Sequence, residues 1–371
     1  MNPMGTCEHC GGSYPAERLT TFDGNLLCPE CLETETLLCA DCGDRIWRNN
    51  NEGSSDVPLC ETCYYEDYTR CTRCGELLHN DNAYYLSDDD DDPYCLDCRD
   101  QLLYAEIHSY SYKPSPIFYG DGPRYFGVEL EIDNAGEDAD SAGKLLAIGN
   151  RGGERIYCKH DSLMSLGSLD EGFEIVTHPM SLDFHLHEMP WLEILEKAAQ
   201  MGYLSHKANT CGLHVHVSRA AFRANREEQD FAISRVLYFV EKHWNELLRF
   251  SRRTQRQLDR WAARYGYKDD PQEMQEHVKK GYGNRYTCVN LTNDATIEFR
   301  IFRGTLKYNT LIATLQMVNR ICDVAICMSD DELRAMSWSE FVSGVTEPEL
   351  IQYLKERRLY LNEPVAVSEE V

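Results

Sequence analysis

Lysine is missing from the first hundred residues, where 22 aspartates and glutamates stand against six arginines. That stretch carries about −16 of the chain's net −25, and affinity for a phosphate backbone rests on Lys and Arg, so nucleic acid is not expected as a partner. No apolar run approaches the roughly 20 residues a membrane-crossing helix needs. The N-terminus lacks the basic and apolar regions of a secretion signal. These two absences predict a cytoplasmic protein without a membrane partner. Phosphate-binding glycine loops are also missing. Gly143-Lys144 has no partner glycine five positions earlier, and no Gly-x-Gly-x-x-Gly follows a strand, which excludes P-loop and Rossmann folds. Without a His-Glu-x-x-His, a helical metalloprotease site is excluded as well.

Cysteine, by contrast, is abundant: 17 in 371 residues. Twelve form six Cys-x-x-Cys pairs, Cys7/Cys10, Cys28/Cys31, Cys39/Cys42, Cys60/Cys63, Cys71/Cys74 and Cys95/Cys98, with intervening gaps of 17, 7, 17, 7 and 20 residues. This is an internal repeat of period 32, with a glycine after the first pair of each unit (Gly11, Gly43, Gly75) where a knuckle turn needs positive φ. Each unit supplies four thiolates at the spacing of a tetrahedral zinc site, and a reducing compartment disfavours the disulfide alternative. Three structural zinc ions are predicted, in modules at about 7–31, 39–63 and 71–98 within a region 1–112. The modules resemble zinc-ribbon and LIM-like adaptors. The run Asp88–Asp92 lacks the glycine and distal glutamate of a calcium loop and is read as a solvated acidic loop.

Proline and glycine then mark residues 113–123 as a linker. Beyond it, residues 124–360 read as one domain, with 361–371 as an acidic tail. Successive side chains of a strand point to opposite faces, so residues two apart share one. This pairs Glu129 with Glu131, His214 with His216, and Glu298 with Arg300, each around an apolar residue (Leu130, Val215, Phe299) that packs the other face. Strands are expected at 124–132, 155–160, 172–176, 211–218, 285–291 and 295–302. Helices are expected at 139–148, at 182–201 with a break at Pro190, at 220–265, at 306–328 and twice within 337–360. Oxygen-rich clusters suit hard cations such as Mg2+, and several basic residues nearby suit a metal-triphosphate. Arg252 and Arg253 carry planar donors that match a phosphate.

The ordered motifs Gly127-Val-Glu-Leu-Glu131, Asp161-Ser162, Glu174, Gly212-Leu-His-Val-His216, Asn290-Leu291 and Glu298-Phe-Arg-Ile-Phe-Arg-Gly304 resemble the amidoligases, carboxylate-amine ligases related to glutamine synthetase and γ-glutamylcysteine synthetase. The resemblance covers about 124–330 and departs after Glu174, where Ile-Val-Thr-His-Pro179 replaces an expected Ser-Pro. It implies an α+β fold: an antiparallel curved sheet of glutamine-synthetase-like type with helices outside. It also implies ATP and two or more Mg2+. Under it Glu129, Glu131, Glu174, His214, His216 and Glu298 are magnesium ligands, and Lys159, Arg252, Arg253 and Asn290 contact the nucleotide. Asp161, Arg300 and Arg303 are the catalytic candidates, Asp161 accepting the amine's proton or binding metal. Small ligases of this type occur in bacteria and their phages. The expected activity is amide or peptide bond formation through an acyl phosphate, with a protein, peptide or small amino-acid substrate and the zinc modules as a protein adaptor. Two other readings stay open on the sequence: an adaptor with an inactive ligase-like domain, and a metal-dependent amide hydrolase.

Overall fold

The computed structural model describes residues 3–85, 91–103, 105–161, 169, 171–271, 273–274 and 286–361. Two compact units follow one another, Met1–Tyr104 and Ala105–Val371.

In the first unit, the leading cysteine pair of each module sits in the turn of a short antiparallel hairpin. The hairpins are Met4–Thr6 with Ser13–Pro15, Thr36–Leu38 with Arg45–Trp47, and Tyr68–Arg70 with Leu77–His79. Gly11, Gly43 and Gly75 close these turns by donating N–H to the carbonyls of Cys7, Cys39 and Cys71 at 2.8, 3.0 and 2.8 Å. Their φ values are 72°, 76° and 75°, the left-handed conformation the knuckle spacing predicts. The trailing pair opens a helix. The Cys28 and Cys60 sulfurs cap Pro29–Glu35 and Glu61–Asp67 by accepting the N–H of Cys31 and Cys63 at 3.5 and 3.4 Å. A third helix, Leu96–Leu103, follows Cys95. The acidic loop at Asp88–Asp92 begins outside the described residues.

Among its described residues the second unit has six strands: β1 Phe126–Ile132, β2 Ile156–Lys159, β3 Phe173–Thr177, β4 Gly212–Ser218, β5 Val289–Asn290 and β6 Thr296–Arg303. Their order is β2-β3-β1-β4-β6-β5, and every neighbouring pair is antiparallel. One face sends Val128, Leu130, Ile175, Val215 and Phe299 into the core. The opposite face carries the charged residues. Among the described residues its helices are α1 Ala139–Gly149, α2 Leu182–His187, α3 Trp191–Gln200, α4 Arg226–Lys242, α5 Trp244–Ser251, α6 Gln255–Trp261, α7 Tyr308–Cys327, α8 Asp330–Ala335, α9 Trp338–Ser343 and α10 Pro348–Glu356. The fold is thus the expected mixture of helices and antiparallel sheet.

Four expectations change. Helix α7 is long and apolar enough to cross a bilayer, but Leu311, Leu315 and Ile321 bury it in the core against α4 and α10. The long helix read at 220–265 is three: α4 stops at His243, and α5 stops at Arg252, whose φ of 62° is left-handed. Thr254 and Gln257 then start α6 with reciprocal capping bonds. The strand expected at 285–291 is only β5, its first residue lying outside the described ones. The linker at 113–123 belongs to the second unit. Pro114 and Pro116 cannot donate to a ladder, but Ile117 N–H reaches His178 Nδ1 at 3.2 Å and Tyr119 N–H reaches the Pro179 carbonyl at 3.0 Å.

Candidate active site

Strand register assembles the polar face. Glu131 stands directly opposite Glu174, His214 opposite Glu129, Lys159 opposite Glu174, and Glu298 opposite both His216 and Asn290. Like charges directly opposite on neighbouring strands repel, so the Glu131/Glu174 rung calls for a cation. Lys159 partly answers it, with Nζ 3.1 Å from Glu174 and 3.7 Å from Glu129.

The carboxylates fall into two groups, in each of which one ligand atom per residue lies within 4.8 Å of the others: Glu129, His216 and Glu298, and Glu131, Asp161 and Glu174. The second is all oxygen and suits a hard cation. Asp161, expected to accept the amine's proton or to bind metal, lies in this second group, and its Oδ2 also accepts the Leu169 N–H at 3.1 Å. His216 Nε2 lies 3.3 Å from Glu129. His214 sits between the groups, Nδ1 at 3.4 Å from Glu129 and 3.5 Å from Glu298, with Nε2 at 3.8 Å from Glu131.

Burial pushes the Glu174 carboxyl well above its usual range, and the Glu129 charge adds to the push. Burial raises Glu131 too, with His214 opposing. For Glu129 the same burial is outweighed by Lys159 and then His216, which hold it well below the usual range. Glu298 is lowered because His216 and Arg300 together overcome its burial. His216 goes up, its burial offset by Glu129.

The basic residues divide. Arg300 pairs with Glu298, and burial opposed by Glu298 leaves its guanidinium raised. Arg253 reaches under Gly212, where an added Cβ would stand 2.5 Å from Arg253 Nη2 and 2.6 Å from His214 Nε2. Gly212 also gives its N–H to Glu131. Arg252 and Arg303 lie beyond this face and bond main-chain carbonyls. Arg303 is nevertheless on the polar side. Val215 pairs with Phe299 and Leu213 with Phe302, so two residues, Arg300 and Ile301, oppose His214 alone. That bulge exchanges the faces beyond it and re-aims Arg303. Asn290 is spent on positioning: Nδ2 donates to Glu298 at 2.8 Å, and Oδ1 accepts from Thr292 N–H and O–H at 3.0 and 2.9 Å.

At the Gly127 end of the face opens a cavity of about 270 Å³, floored by Glu129, Lys159 and His216 and walled by Tyr112, Phe118, Tyr157 and others. The sequence reading missed this cavity. Tyr157 was within reach of it, two residues before Lys159 on the same face. Residues 112–118 carry no local sign of the role, because only the tertiary fold brings them there.

In the first unit the three cysteine tetrads are each gathered with sulfurs within 4.8 Å of one another. Cys10–Cys28, Cys42–Cys60 and Cys74–Cys95 sulfurs are 3.9, 3.9 and 3.8 Å apart. A tetrahedral zinc with Zn–S of about 2.3 Å has an edge of about 3.8 Å. Main-chain N–H groups lower Cys7 to about 6, and overcome burial to bring Cys39 and Cys71 to about 6 also, while burial raises Cys31 and Cys98 and the neighbouring Cys60, with burial, raises Cys63. The tetrads fit zinc modules.

Residues 154–322 match the model of the family described as "Putative amidoligase enzyme". Strand β1, with Glu129 and Glu131, precedes that stretch. No curated protein matches the chain. Among solved structures, a bifunctional glutathione synthetase from Pasteurella multocida aligns with a TM-score of 0.37 at 13% identity, over 63% of this chain and 46% of that one. The chain thus spans about half the length of that enzyme.

Proposed function

We propose that this chain, with the amidoligase match over residues 154–322, is an ATP-dependent carboxylate-amine ligase with a glutamine-synthetase-like sheet curved around the nucleotide. The observation that carries the reading is the Glu131/Glu174 rung, two buried carboxylates facing each other with a second carboxylate-histidine group beside them. Glu131 and Glu174, and beside them Glu129, His216 and Glu298, would hold magnesium, which would neutralise a triphosphate. The protein's own groups do the positioning. Lys159 and Arg253 hold phosphoryl oxygens, Arg300 is aligned by Glu298, and Asn290 aligns Glu298 in turn. The cavity walled by Tyr112 and Tyr157 takes the nucleoside. A substrate carboxylate oxygen forms a bond to the γ-phosphorus as the bond to ADP breaks. An amine then attacks the acyl carbon, the C–N bond forms, phosphate leaves with the C–O electrons, and Asp161 accepts the amine's proton. We assign the acidic zinc array to recruitment of a protein or peptide substrate in the cytoplasm.

Acyl-phosphate trapping tests this. The protein is incubated with Mg-ATP, amino acids and acidic peptides, and hydroxylamine, and ADP and hydroxamate are followed, with Glu129→Ala as control. Hydroxamate that depends on ATP and on Glu129 is expected. Absence of ADP, of hydroxamate and of Mg-ATP binding overturns the ligase reading.

A further inference from the structure

Acidic residues outnumber basic ones by 62 to 37 in this chain, yet beyond Gly212, past Arg253, basic side chains converge. Arg252 donates Nη2 to the carbonyls of Arg303 and Gly304 at 3.2 and 3.3 Å. Arg303 answers with Nη1 to the Arg252 carbonyl at 3.5 Å and Nη2 to Asn209. Arg357 anchors Nε and Nη2 on the Arg249 carbonyl at 3.0 and 2.9 Å. His206 and Lys207 come from the loop before β4.

Every acceptor bound by these arginines is neutral. Among the described residues none of Lys207, Arg252, Arg303 and Arg357 has a carboxylate within 4.0 Å. The Nε–H groups of Arg252 and Arg303 are buried without an acceptor. Burial, with repulsion from Arg252, Arg303, Arg357 and Lys207, brings His206 down to about 4, which registers the net positive field. The backbone is strained at the same place: Asn209, Arg252 and Arg358 have φ of 66°, 62° and 55°, three of five left-handed non-glycine residues among those described. Unpaired cations packed together cost stability, and planar guanidinium donors suit an oxyanion.

We propose that Arg252, Arg303, Arg357 and Lys207 form an oxyanion site that holds a non-reacting carboxylate or phosphoryl group of the substrate, apart from the nucleotide's phosphates. The inference rests on the ligase reading for the identity of the ligand, and it makes that substrate anionic at the end remote from the bond formed. The cavity and the cluster lie at opposite ends of the polar face, so nucleoside and substrate anion approach from opposite sides.

The full chain is titrated calorimetrically with inorganic phosphate and with succinate, with and without a saturating non-hydrolysable Mg-ATP analogue. Binding that persists with the analogue is expected, weakened about tenfold or more in Arg357→Gln and in Lys207→Gln. Lys207 is exposed, so its variant reports even if Arg357→Gln misfolds, and Lys144→Gln serves as a distant control. One-for-one competition by the analogue assigns the cluster to the nucleotide and overturns the proposal. Equal binding by Lys207→Gln, Arg357→Gln and the control overturns it too, as does no binding of either anion. Oxyanion binding without any binding of the analogue would instead count against the ligase reading and leave the site standing.

Discussion

Glu131→Gln should make the metal-free protein more stable while it removes a metal ligand. In the native sheet Glu131 faces Glu174, with Asp161 in the same group and ligand atoms within 4.8 Å. At a pH high enough to ionise both carboxyls, two like charges at that separation and an effective dielectric near 20 repel by about 3.5 kcal/mol. Arg253 and His214 offset part of this, and the glutamine oxygen still accepts the Gly212 N–H. A net gain of roughly 1–2 kcal/mol remains, or about 3–6 °C for a unit of this size. The sign also sets the pH dependence. Glu131 and Glu174 are raised above the usual 4.5 in the folded state. Their contribution is therefore full below about 4.5 and lost as pH rises through the raised values. Metal-free wild type loses stability as pH climbs from that point, and the variant loses less. Added Mg2+ reverses the order, since a ligand at a hundredfold over its Kd stabilises by about 2.7 kcal/mol and the variant binds it poorly. The assay is thermal unfolding of both proteins with and without Mg2+, in buffer free of chelator so that zinc stays bound. A variant that melts below wild type without Mg2+, or gains as much from Mg2+, refutes the reasoning.

Gly212→Ala places a methyl group against Arg253 and His214; we expect a loss of about 1–3 kcal/mol in stability and strongly reduced hydroxamate formation, read by unfolding and turnover on the same sample. His185 is buried with Nε2–H donating to the Phe126 carbonyl at 3.1 Å and Nδ1 accepting from Trp191 at 3.3 Å. Burial, partly offset by Phe126, lowers it to about 4, so its neutral form contributes about 3 kcal/mol above pH 6.5 that is lost as pH falls toward 4; urea unfolding across that window should show the slope, and His185→Gln should lack it. Metal analysis should find three zinc ions per chain and two in Cys10→Ser, and strong chelation should abolish folding of the first unit while the second still unfolds cooperatively.

Some of this was open to reading because the governing rule is local. Zinc ligands recur at fixed short spacings, so six cysteine pairs and three glycines disclosed three modules with their turns. Alternation within single strands likewise showed that Glu129 and Glu131, or His214 and His216, share a face. Pairing between strands obeys no local rule, so nothing in the sequence told that Glu131 would face Glu174. Nor could alternation foresee Arg303, because the bulge at Arg300–Ile301 breaks the period of two. Arg252 and Arg253 are neighbours in sequence and were assigned one role. The left-handed turn at Arg252 sends one guanidinium to carbonyls and the other under Gly212. Proline and glycine at 113–123 read as a linker, but composition says nothing about what a segment packs against.

The bulge in β6 also sets how this stretch tolerates insertion and deletion. Upstream of it the core reads odd numbers, Ile297 and Phe299; downstream it reads an even one, Phe302. The strand therefore carries a phase shift, and removing Ile301 would put the remaining residues back in one phase. Phe302 would then still stand opposite Leu213 and face the core, and Arg303 would still stand opposite Gly212 on the polar side, so the deletion closes the bulge without exchanging the faces. The bulge thus gives the strand one residue of slack: a chain one position shorter at this point presents the same faces to the site, and only a further loss would exchange them.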